Sequence, residues 1–82
     1  MSSKQIKESY ADHPAFQRMF GMVDFVLLKN PTATEVDIIA ALFTVSKSIE
    51  PEESRLASLI VANFIHKALP KYLATKKEEM RN

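Results

Sequence analysis

With 82 residues, 46% of them hydrophobic and 26% charged, the chain reads as a single domain, 1–82, too apolar to remain disordered and too short to bury a large core. It has no cysteine, which excludes disulfides and thiolate chemistry, and its two histidines, His13 and His66, are too few for a structural metal site. The net charge of +1 steers no partner, but the ends differ: 31–65 is acidic, whereas 66–82 sets Lys67, Lys71, Lys76, Lys77 and Arg81 against Glu78 and Glu79.

The expected fold is all-α. There is one glycine, no Asn-Gly or Asp-Gly turn and no alternating strand pattern, while four prolines divide the chain into helix-sized pieces. The start, Met1-Ser2-Ser3-Lys4, is polar and unlike a signal peptide, so a cytoplasmic protein is expected. Residues 3–11 read as a short N-terminal helix with Ser3 as its cap and Ile6 and Tyr10 on one face. Asp12-His13-Pro14 interrupts it, and Asp12 or His13 caps the next helix.

That second helix, about 14–29, has a clear helical period. Phe16, Met19, Phe20, Met22, Val23, Val26 and Leu27 share one arc, and Gln17, Arg18, Asp24 and Lys29 lie opposite. Phe25 and Leu28 are apolar residues on the polar side. Gly21 sits one turn before Phe25, and a mid-helix glycine predicts close approach of another element. Asn30-Pro31 ends the helix. Thr32 with Glu35, and Thr34 with Asp37, both have capping-box spacing.

A third helix is expected over about 34–48, with Val36, Ile38, Ile39, Leu42, Phe43 and Val45 inward and Asp37, Thr44, Lys47 and Ser48 outward. Ile49-Glu50-Pro51 then opens a fourth, about 51–69, with Glu52 and Glu53 at its positive end. This helix holds the most apolar run of the chain, 56–65, about half of the roughly 20 residues that span a bilayer. Its core arc is Ala57, Ile60, Val61, Phe64, Ile65 and Ala68, while Leu56 and Leu59 fall beside Asn63 and His66. Pro70 stops or kinks the helix, and 71–82 is expected as a helical or frayed, flexible tail. The architecture is thus a small bundle of three main helices. Its plan over 31–69 is shared by many small helical proteins and transfers no function.

No catalytic residue, cofactor site or metal site is expected. Neither histidine stands beside a candidate nucleophile, Glu52-Glu53 is explained by the helix dipole and Glu78-Glu79 by solvation, and one glycine excludes phosphate loops. The helices lack the lysine-rich polar faces of membrane-surface helices, so no membrane partner is expected. The aliphatic run 56–65 is unsuited to reading DNA bases. What remains is an excess of apolar side chains over what one small core needs. The expected function is a non-enzymatic protein–protein interaction module, a regulator or inhibitor of a larger protein that also forms a homodimer. The candidate partner-binding residues are Phe25, Leu28, Leu56, Leu59, Asn63 and His66. The alternative is a nucleic-acid-binding accessory protein acting through Lys67, Lys71, Lys76 and Lys77.

Overall fold

Local capping chemistry starts most of the helices. The structure, a computed structural model, describes residues 2–46 and 51–81, with side chains over 2–44 and 56–81. Helix α1 spans Ser3–Ser9 and is capped by Ser2 rather than Ser3. The Ser2 hydroxyl accepts from the Gln5 N–H at 3.2 Å, and the Gln5 side chain accepts from the Ser2 N–H at 2.8 Å. Helix α2 spans Pro14–Lys29. His13 is its cap: Nδ1 accepts from the Phe16 N–H at 3.4 Å, and the imidazole stacks on the Phe16 ring at 4.0 Å between centroids.

Asn30 closes α2 and shapes the turn after it. Its side-chain oxygen accepts from both the N–H and the hydroxyl of Thr32, at 3.3 and 2.8 Å. Thr32 is thereby taken, and Thr34 caps α3, Glu35–Ser46. Asp37 donates its N–H to the Thr34 hydroxyl at 3.3 Å and accepts the Thr34 N–H at 2.9 Å. The Thr34 N–H, together with the Thr34 hydroxyl that donates to the same carboxylate oxygen at 3.0 Å, holds the Asp37 carboxyl below its ordinary value. Helix α4 spans Pro51–Lys67. Residues 47 and 48, placed by sequence at the end of the third helix, lie outside the described residues, as does the side chain of Val45.

The fourth helix ends at Lys67 rather than Leu69, and a fifth follows almost at once. Helix α5 is Leu69–Met80, with Pro70 in its first turn, where the missing N–H costs nothing. Ala68 joins the two, donating to the Phe64 carbonyl at 2.8 Å and accepting from Tyr72 at 3.0 Å. Of the two expectations for the C-terminal segment, the helical one is observed, and α5 is a structural part of the bundle. Leu69, Tyr72 and Leu73 are buried, with Tyr72 and Leu69 at 0% exposure. The described chain is therefore an all-helical fold of five helices.

One core joins all five. Phe16, Phe20, Val23 and Leu27 form the buried stripe of α2. They meet Ile38 and Leu42 from α3, Val61 and Phe64 from α4, Leu69, Tyr72 and Leu73 from α5 and Ile6 from α1. Its centre is aromatic. Phe64 stands edge-on to Phe16 and Phe20, with centroids at 5.2 and 5.1 Å, and Phe20 lies 4.7 Å from Tyr72. The Cα envelope, 42 × 26 × 17 Å, has a short axis matching two layers of helices. Two expectations fail here. Val36, assigned to the inner arc, is 73% exposed, because at about 100° per residue it lies roughly 140° around α3 from the midpoint of the buried Ile38 and Leu42. Gly21 marks no close approach: a Cβ added there would meet nothing within 4 Å.

Candidate interaction surface

The α4 residues singled out by sequence form one outward seam. Leu56, Leu59, Asn63 and His66 follow one another at steps of three, four and three residues, which keeps them on one side of a helix. All four are exposed, Leu56 and Leu59 at 61% and 65%, while Val61, Phe64 and Ala68 face the core. Two exposed leucines one turn apart are the largest apolar feature of this face.

Phe25 and Leu28 occupy a different surface. Helices α2 and α4 meet through Phe16, Phe20 and Phe64. At about 100° per residue, Phe25 lies roughly 140° around α2 from Phe20, and Leu59 lies roughly 140° around α4 from Phe64. Each points away from the shared interface, so the expected combined surface is two surfaces on separate sides. Phe25 carries the Lys29 ammonium 5.6 Å from its ring centroid. Leu28 turns toward α5 and lines a shallow groove with Asp24, Leu27, Pro31, Lys76 and Met80. Val36 and Met80 are further exposed apolar side chains that sequence reasoning left out.

The basic candidates divide as well. Lys67 and Lys71 are exposed. Lys76 is drawn inward, its Nζ 3.5 Å from Asp24 Oδ1, and Lys77 contributes its field to Asp37. One of the four expected basic residues, Lys76, is therefore paired within the fold, which weakens any field that could follow phosphates.

The polar centre that sequence reasoning missed is Asp24. It sits on the side of α2 read as solvent-facing, yet three helices converge on it. Lys7 Nζ from α1 lies 2.7 Å from Oδ2, and the Tyr72 hydroxyl from α5 donates to Oδ1 at 2.5 Å. Burial pushes the Asp24 carboxyl up, but hydrogen bonds from Lys7 and Tyr72, aided by the charges of Lys7 and Lys76, hold it below the ordinary aspartate value. The Tyr72 phenol is pushed far above its ordinary value, by burial first and then by its hydrogen bond to Asp24 and the charges of Asp24 and Glu79. A phenol held neutral against an ionised carboxylate ties helices together and offers no nucleophile. Glu79, read as part of a solvated charge face, has a partner too: Ser3 of α1 donates its N–H and O–H to the two carboxylate oxygens at 2.9 and 2.6 Å. No local signal marks these pairs, which span 17, 48 and 76 residues.

Among the described residues no group of three or more His, Cys, Asp or Glu could hold a metal ion, and no helix is long and apolar enough to cross a membrane. Comparison with protein-family models, with curated proteins and with solved structures finds no match.

Proposed function

We propose that this protein is a non-enzymatic interaction module of the cytoplasm, a regulator or inhibitor that docks on a larger protein and self-associates. The observation that supports this reading is the α4 seam. Leu56 and Leu59 stay largely exposed in a chain whose core is already complete without them. Isolated exposed leucines are ordinary on any surface. A pair one turn apart, continued by Asn63 and His66, offers an apolar centre with a polar edge, the usual anatomy of a protein interface.

Light scattering on the purified protein, with and without Leu59→Asp, tests the reading. The wild type is expected to associate as its concentration rises, and Leu59→Asp to weaken this by removing the part carried by the α4 seam, while leaving the helical signal and the melting temperature unchanged. A wild type that stays monomeric at every concentration, and co-purifies with the same proteins as Leu59→Asp, would refute it. A salt-sensitive affinity for nucleic acid, lost on reversing the charges of Lys67 and Lys71, would place the function in the basic C-terminal segment instead.

A further inference from the structure

Helix α1 is seven residues long, too short to hold its shape alone. Its place is fixed by groups that belong to α2 and α5. At one end Glu79 receives the N–H and O–H of Ser3. In the middle Asp24 receives the ammonium of Lys7, which also stands 5.8 Å over the Tyr72 ring. At the other end the Gln17 side-chain amide donates to the carbonyls of Lys7 and Tyr10, both at 2.9 Å. Between these polar ties Ile6 is buried, and the Tyr10 ring lies 5.0 Å from Phe16 and 6.0 Å from Phe20.

This slot is chemically specific. It calls for a hydroxyl and free N–H at the first position, an aliphatic side chain three residues on, an ammonium next to that, and an aromatic ring a further three residues on. Ser3, Ile6, Lys7 and Tyr10 of this chain supply that order. Tyr10 is seated in the slot and His13 caps α2, so the free link between arm and body is Ala11 and Asp12, both exposed. It is wound only by local bonds, Ala11 N–H to the Glu8 carbonyl at 3.1 Å and His13 N–H to the Tyr10 carbonyl at 3.0 Å. Unwound, the stretch from Tyr10 to His13 reaches about 10–11 Å.

We infer that α1 is an exchangeable arm, and that its slot on α2 and α5 takes the α1 of a second copy of this chain, giving a reciprocal arm-swapped dimer. Every contact of the closed form is remade in the swapped one, so the two differ in the link and in concentration. The inference rests on the self-association proposed above and adds to it a contact on a second face: Leu59→Asp leaves arm exchange intact, and the arm variants leave the α4 seam intact.

Two charge-reversed proteins, Lys7→Asp and Asp24→Lys, test it. In either protein alone the arm meets a like charge in every available slot. In an equimolar mixture each arm finds the opposite charge, but only in the other protein. Mixing is expected to produce a heterodimer by native mass spectrometry. Its dissociation constant should be at least about tenfold below that for self-association of either variant. A mixture that behaves as the sum of its two components overturns the inference. If circular dichroism shows that either variant does not fold, deletion of Ala11 and Asp12 from the wild type decides. The shortened link keeps the arm from its own slot, so an obligate dimer with protected α1 amides is expected. A monomer with unprotected α1 amides overturns the inference.

Discussion

Replacing Gly21 by alanine should stabilise the protein. Gly21 lies in the middle of α2, with two full turns of helix on either side, and it is exposed. Glycine there carries the largest backbone-entropy loss of any residue on folding. The usual reason to retain it, close contact with another element, is absent, because the new methyl group would meet no heavy atom within 4 Å. No cavity is filled and none is made, so the effect is the propensity difference itself, about 0.8–1 kcal/mol in favour of alanine. In a domain of this size about 1 kcal/mol raises the melting temperature by roughly 4–8 °C. Thermal melts followed at 222 nm, paired with urea titration, measure it. The urea midpoint should rise with an unchanged slope, since the surface exposed on unfolding is the same. An unchanged or lowered midpoint would refute the reasoning. It would mean that the backbone at Gly21 is approached by a surface outside the single chain.

Phe64→Ala should cost about 3–5 kcal/mol, because Phe64 is fully buried and its ring joins Phe16 and Phe20; in a domain this small, chemical denaturation should find it largely unfolded. Tyr72→Phe keeps the buried ring and deletes only the hydroxyl on Asp24, so a smaller loss of about 1–2 kcal/mol is expected, and a loss as large as that of Phe64→Ala would contradict the assigned hydrogen bond. The depressed Asp24 carboxyl stabilises the fold above the ordinary aspartate pKa, and that contribution is lost as pH falls through the lower value of the folded state. Stability measured downward from pH 5 should fall less steeply in Asp24→Asn than in the wild type. The raised Tyr72 phenol acts at the other end of the scale: it favours the folded state below about pH 10, and stability should fall above that as the unfolded chain ionises, a fall reduced in Tyr72→Phe.

Helix caps and apolar stripes are local, and the sequence shows them well. Pro14, Pro31 and Pro51 mark boundaries that α2, α3 and α4 respect, and Thr34 with Asp37 forms the box its spacing predicts. The inward arc of α2 and the outward placing of Phe25, Leu28, Leu56 and Leu59 follow from a period of 3.6 residues and nothing more. The broad arc drawn for α3 takes in Val36, although the buried Ile38 and Leu42 lie on the far side of that helix.

The amino-acid sequence by itself thus determined an all-helical chain, most of its boundaries and which leucines on α4 its own core leaves out. Only the tertiary structure decided that the last segment is a core helix, since the polar composition of 71–82 hides the one tyrosine that matters there. It also decided that Phe25 and Leu59 face different ways, because angles between helices are set by packing. Asp24, Glu79 and Gln17 look like surface residues in the sequence. Each finds its partner on another helix, and a hydrogen bond between residues far apart in the chain has no period by which to be read.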